Sequence, residues 1–178
     1  MANQEEIARL RTRFEETVGR LKQRFSEATL TTSEFRDNFR VHVGADHLLA
    51  VLGFLKTECG FEMLVELGGA DYLHYPEATD RYGVWYCLLN ISTGQRIIVK
   101  SFANDPDPHL PSVFPLWKGS DWMEREVYDM YGVIFDGHPD LRRVLLPDEY
   151  TSFPMRKDYP LRGKGERHNF QPIVRADS

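Results

Sequence analysis

Apolar residues open the chain at helical spacing. Ile7, Leu10, Phe14, Val18, Leu21 and Phe25 step by three or four positions, which puts them on one face of a helix from Glu5 to about Ala28. Glu5–Arg9 and Glu16–Arg20 lie at i,i+4 in the favourable orientation. So long a seam packs on its own domain or attaches the chain to a neighbour. The polar stretch Thr31-Thr-Ser-Glu34 separates it from the next apolar run. Phe39 to Val43 alternates as a short strand. Asp46 to Glu58 then reads as a helix with Leu48, Val51, Leu52 and Leu55 inward, closed by Gly60. Phe61 to Leu67 is a strand, and Gly68-Gly69 reads as a bend or bulge. Tyr82–Asn90 and Gln95–Phe102 are rich in strand formers, with Ser92-Thr-Gly94 as the hairpin turn between them. The sum is an α+β architecture: a sheet of about four strands with a helix across one face.

The pattern then changes. Pro106, Pro108, Pro111 and Pro115 make a stiff linker to a helix that begins near Trp122. On it Met123, Val127, Met130 and Ile134 share one face, and Gly132 is the expected stop. His138-Pro139 forces a turn, because the residue before proline avoids the α region. Prolines 139, 147, 154, 160 and 172 keep the rest out of helices and central strands. The expected organisation is an amphipathic helix over 1–30, an α+β domain over 36–138 and an extended, proline-spaced arm over 139–178. An arm of that length is either disordered or laid along another protein. Apolar residues such as Leu145, Leu146, Phe153, Met155, Phe170 and Ile173 favour docking.

Charge sharpens this division. Residues 1–141 carry 14 Lys+Arg against 22 Asp+Glu, a net of -8, while residues 142–178 carry 8 against 5, a net of +3. A basic tail on an acidic body suggests contact with an acidic surface. It is too weakly basic for nucleic acid. No stretch approaches the ~20 apolar residues of a membrane helix, and the N-terminus has no secretion-signal pattern. Cys59 and Cys87, set among apolar residues, read as free buried thiols in a reducing compartment.

Redox and hydrolytic signatures are missing. An iron–sulfur cluster usually takes four thiolates, and the chain has two. It has no dinucleotide or phosphate-binding glycine loop, and its six histidines show no ligand spacing. No catalytic, cofactor-binding or metal residue is assigned. Glu124 and Glu126 would point about 200° apart on a helix, so they cannot share a site. Glu126 and Asp129 face a common side, and a stand-alone enzyme would use them as acid and base. Structural ion pairing is the preferred reading, with Arg125 neutralising Asp129, and Arg142, Arg143 and Arg156 available to the other acids.

The order of these residues carries a resemblance. Glu124, Arg125, Glu126, Asp129, Tyr131 and Gly132, followed by Phe135, His138, Pro139, Leu141, Arg142 and Arg143, resemble the signature of a family of respiratory complex I, the hydrophilic C subunits of the proton-translocating NADH–quinone oxidoreductase. Phe153-Pro-Met-Arg-Lys-Asp-Tyr-Pro160, with Arg156, Lys157 and Asp158, resembles the family's second block. Tyr150 and Ser152 stand where tryptophan and glycine are usual, and Lys118-Gly-Ser-Asp121 replaces a more apolar approach to Trp122. The likeness is closest from Pro111 to Gly163.

The resemblance implies a hydrophilic, cofactor-free subunit of the peripheral arm, on the cytoplasmic face of the cell membrane. Its expected partners are the subunits that hold the terminal iron–sulfur cluster and the quinone site. The whole complex would pass electrons from NADH through FMN and iron–sulfur clusters to quinone, coupled to proton translocation. The isolated chain would not be catalytic, and Glu124, Arg125, Glu126, Asp129, His138, Arg142, Arg143, Arg156, Lys157 and Asp158 would serve structure or interfaces. The related subunit of an energy-converting hydrogenase, or of a complex with another electron donor, stands as the alternative.

Overall fold

A computed structural model describes residues 4–166 apart from 29 and 37, with side chains from residue 7 onward. The expectations for Glu5, Phe170 and Ile173 therefore lie outside the described residues. Helix α1 (Gln4–Arg24) is followed by strands β1 (Leu30–Phe35) and β2 (Asn38–Val43), helix α2 (Ala45–Thr57), and strands β3 (Met63–Asp71), β4 (Tyr82–Leu89) and β5 (Arg96–Ala103). Strand β6 (His109–Pro111), helix α3 (Ser120–Tyr131) and strand β7 (Ile134–Asp136) complete the regular structure.

The five long strands form one mixed sheet in the order β1-β2-β5-β4-β3, antiparallel except for the parallel pair β2–β5. Burial alternates along the inner strands β2, β5 and most of β4. Val41, Val43, Tyr82, Val84, Tyr86, Leu88, Ile97 and Val99 all point inward and are buried. Against them pack Leu48, Val51, Leu52 and Leu55 of α2 and the seam Phe14, Val18 and Leu21 of α1. Phe14 stacks on Phe39 with ring centroids 5.0 Å apart, so α1 closes over the chain's own sheet. Each such aliphatic side chain contributes roughly 1.5–3 kcal/mol on burial.

Two elements differ from the sequence reading. The polar stretch Thr31–Glu34 is part of a fifth strand, β1, at the sheet edge. Its burial pattern shows no fully buried position, and hydrogen bonding to β2 replaces the apolar alternation that marks inner strands. Strand β3 runs straight through Gly68-Gly69, and its irregularity lies earlier, between Leu64 and Glu66. The glycines answer to packing. A Cβ on Gly68 would come within 2.5 Å of the Trp85 ring, and one on Gly69 within 3.0 Å of Val127 on α3.

The proline-rich linker also contains β6, which pairs in parallel with β7. This small ribbon brings the segment before α3 beside the segment after it. Past residue 136 the described chain has no further α-helix or strand.

Candidate functional site

Helix α3 carries the charged signature, and Glu124, Glu126 and Asp129 do not share one environment. Glu124 and Asp129 are fully buried, whereas Glu126 is exposed. Residues three apart lie about 60° apart around a helix, and between Glu126 and Asp129 that step crosses from solvent to core. The two share no pocket, which removes the acid–base pair that a stand-alone enzyme would need.

Asp129 is bound on every side. Its Oδ1 accepts from Arg143 Nη1 at 2.6 Å. Its Oδ2 accepts three consecutive backbone N–H groups, from Val144 at 3.1 Å, Leu145 at 2.8 Å and Leu146 at 2.9 Å. Burial disfavours its charge, but these donors outweigh burial and hold its pKa below the usual carboxylate value. The partner is Arg143, not Arg125 as the i,i+4 spacing suggested. Arg125 turns across the helix and donates to the carbonyls of Arg142 and Arg143 at 3.1 Å each. Arg142 itself stays at the surface on Asp140.

The arm also finishes α3. The last turn of this helix holds no basic residue, so nothing in the helix itself offsets its C-terminal dipole. Arg143 Nη1 donates to the Asp129 carbonyl at 3.2 Å, Met155 N–H to the Met130 carbonyl at 3.1 Å, and Arg156 Nε to the Tyr131 carbonyl at 2.6 Å. Gly132 caps the helix at φ 77°, and a Cβ there would sit 2.6 Å from both Arg156 and Phe153. Its φ and this close approach both require glycine.

A second buried acid ties down the Phe153–Pro160 block. Asp71, at the end of β3, accepts from Arg81 Nη2 at 3.1 Å, from Leu73 N–H at 2.9 Å and from Lys157 N–H at 2.8 Å. Against the cost of burial, these donors keep its pKa below the usual carboxylate value. Arg81 also bonds Asp158 at 2.8 Å and pairs with Asp105. Burial opposes its charge, yet bonds to Asp71, Asp158 and Asp105 hold the guanidinium more firmly protonated than usual. The Arg156 guanidinium lies over the rings of Phe153 and Tyr82. So Arg143 to Asp158 bond at several points to the chain's own body, in line with the expected pairing of arm arginines with the acids, whereas for the arm as a whole the sequence reading is disorder or a foreign surface. The physical reason is that Asp71 and Asp129 present buried acceptors that the arm's own N–H groups and arginines can reach.

Glu124 forms a third centre. It accepts Ser112 Oγ at 2.6 Å, Val113 N–H at 2.7 Å and Ser120 Oγ at 3.3 Å. Burial nonetheless prevails and pushes its pKa up. The fully buried His138 ring brings Nε2 within 3.8 Å of Glu124 and 3.3 Å of the Asp121 carbonyl. Its Nδ1 accepts the Asp140 N–H at 3.1 Å, which places the imidazole proton on Nε2 in the neutral ring. The buried Tyr86 hydroxyl has no hydrogen-bond partner, and burial, with the Glu124 carboxylate adding to it, pushes its pKa well up.

Asp71, Arg81, Ser112 and Ser120 were not among the sequence candidates. No spacing rule joins residue 71 to residue 157 or residue 112 to residue 124, so nothing local marks them. Lys157 contributes its backbone, not its side chain. Cys59 and Cys87 are free, and burial raises both thiols, the opposite of what a thiolate ligand needs. Among the described residues no three His, Cys, Asp or Glu side chains are placed to hold a metal ion. The arrangement binds chain to chain through charge-assisted hydrogen bonds.

Comparison with known proteins agrees with the motif. A family model described as "Respiratory-chain NADH dehydrogenase, 30 Kd subunit" matches residues 41–165. The NADH-quinone oxidoreductase C subunit of Sinorhizobium medicae is 44% identical over 144 residues, which span 79% of this chain and 63% of that protein. The protein of the same name from Trichlorobacter lovleyi is 37% identical over 148 residues, spanning 83% of this chain and 90% of that one. Among solved structures, the trypsin-resistant fragment (1-134) of Nqo5 is similar with a TM-score of 0.61 and 31% identity, covering 70% of this chain and 99% of that one.

Proposed function

Because the chain belongs to the family of the 30 kDa subunit of respiratory-chain NADH dehydrogenase, we propose that it is the C subunit of an NADH–quinone oxidoreductase and serves there as a scaffold. The observation that carries this reading is the wiring of two buried carboxylates: Asp129 accepts four donors from the arm, and Asp71 accepts Lys157 N–H of the arm beside Arg81 and Leu73. The signature residues Asp129, Arg143 and Arg156 hold the arm on the body, and that shape is what neighbouring subunits meet. Arg142, Lys157 and His138 lie on the same turns, and Glu126 remains at the surface for contact outside the chain.

NADH oxidation, electron passage through FMN and iron–sulfur clusters, and quinone reduction belong to the other subunits of the peripheral arm. The isolated chain binds none of these groups and turns nothing over. It sits on the cytoplasmic face of the membrane by attachment to partners. In support, no helix among the described residues is long and apolar enough to cross a membrane.

The test is purification of the tagged chain from membranes. Co-elution with NADH-oxidising, quinone-reducing activity is expected. Co-elution with hydrogen-oxidising activity instead would assign the chain to a hydrogenase-type complex. In the same preparation Asp129→Asn should lower the yield of assembled complex while leaving turnover per complex unchanged. A fully assembled Asp129→Asn complex that has lost quinone reduction would move this acid from scaffold to chemistry.

A further inference from the structure

Strand β3 ends the sheet, bonded to β4 on one side and, among the described residues, to no strand on the other. An edge strand presents unpaired N–H and C=O groups, which folded proteins usually cover or block with charge. Beside this edge runs a groove of about 380 Å³ between β3, α3 and the arm. Trp85, Met123, Met130 and Met155 are among its apolar lining, and among the described residues its charged lining is Glu66 and Glu126. Met155 is 50% exposed. Both glutamates are exposed, and among the described residues neither has a cation within ion-pairing distance.

Three facts meet here. The backbone edge can take one more extended segment. Methionine side chains adapt to varied apolar partners. The two unpaired carboxylates set the sign of the charge that completes the site. Arg143 and Arg156, the arm's arginines nearest the end of α3, are committed to its last carbonyls. We propose that the groove receives an extended segment of a neighbouring subunit, laid along β3, with a lysine or arginine between bulky apolar residues. The basic residue pairs with Glu66 and Glu126, and its apolar neighbours settle on Trp85 and the methionines. This rests on the reading of the chain as a member of a larger complex and adds the chemistry of one contact.

The experiment uses the whole complex. A photo-crosslinking benzophenone side chain replaces Met123, the complex is purified from membranes and irradiated, and the adduct is sequenced by mass spectrometry. The expected adduct lies in another subunit, within about five residues of a lysine or arginine, roughly the reach of an added strand. The double variant Glu66→Gln/Glu126→Gln, read beside it, should be retained about three- to tenfold less well at low salt, a difference that closes as salt rises. An adduct to a second copy of this chain, an adduct within the chain, or an adduct to a segment without a basic residue overturns the proposal. So does an intact complex with no adduct, or a double variant retained like wild type at low salt. A wild-type chain that fails to co-purify sinks the subunit assignment itself, whereas a chain that co-purifies without the adduct sinks the groove alone.

Discussion

Asp129 concentrates four donors on one carboxylate, so its loss is felt by groups that have nowhere else to go. In Asp129→Asn one amide nitrogen must face either Arg143 or the N–H groups of residues 144–146, and both are donors. Breaking one side of a buried ion pair costs about 3–5 kcal/mol, because the remaining charge is stranded. Urea unfolding of the isolated chain should show a loss of about that size, whereas Glu126→Gln, at the exposed position of the same helix, should stay within ~0.5 kcal/mol of wild type. The pH profile carries a second signature. A carboxylate held below its ordinary value binds fewer protons folded than unfolded, so its stabilisation is present above about pH 3.8 and is lost as pH falls through the folded value. Asp71 acts in the same sense. Glu124, raised by burial, acts oppositely: its contribution is complete below about pH 4.5 and declines as pH rises through its folded value. The acid limb of stability, followed by urea midpoint from pH 5 downward, should therefore be shallower in Asp129→Asn than in wild type. An unchanged slope would show that Asp129 titrates normally.

At the scale of the element, α3 and the arm are one unit. Amides 144–146 bond to Asp129 and amide 157 to Asp71, so hydrogen exchange should find them protected although they belong to no helix or strand. Asp71→Asn should release amide 157 and leave amides 144–146 slow, while Asp129→Asn does the reverse. Simultaneous release of both sets in either variant would mean that the arm opens as a single body. Gly132→Ala tests the same junction from the helix side. It puts a side chain at positive φ and drives a methyl into Phe153, so it should cost more than ~1 kcal/mol, measured by thermal unfolding. The sequence showed the helix, its glycine stop and the motif string, because periodicity and punctuation are local. It named Arg125 as the partner of Asp129 because i,i+4 geometry describes a helix surface, whereas this face is buried and its partners arrive from across the turn. It took Thr31–Glu34 for a spacer for a related reason. An edge strand needs no apolar alternation, so hydrophobic pattern cannot announce it.

For the whole molecule, one apolar core joins α1, α2 and the sheet to Val127 of α3, and the ties of Asp129 and Asp71 hold the arm at its rim. Of the arm's described residues, Leu141 packs against that core. Variants that loosen the arm should thus leave a folded sheet behind. Far-ultraviolet circular dichroism of Asp129→Asn at neutral pH should match wild type within error while assembly falls. Loss of the strand and helix signal would mean that the sheet cannot stay folded without the arm's ties.

The arm's place at the end of α3 also sets an order in time. Protein synthesis runs from the N-terminus, and Arg156 lies 25 residues beyond the Tyr131 carbonyl it completes. At the usual ~5–20 residues per second, the ribosome delivers that arginine roughly 1–5 s after the helix end. Arg143 and amides 144–146 reach Asp129 within that interval, while the Met130 and Tyr131 carbonyls of α3 wait on water to its end. The nascent chain therefore passes through a stage in which its sheet is built and its signature helix is unfinished. A chain cut just past Gly132 would hold the molecule at that stage, with the end of α3 open to solvent.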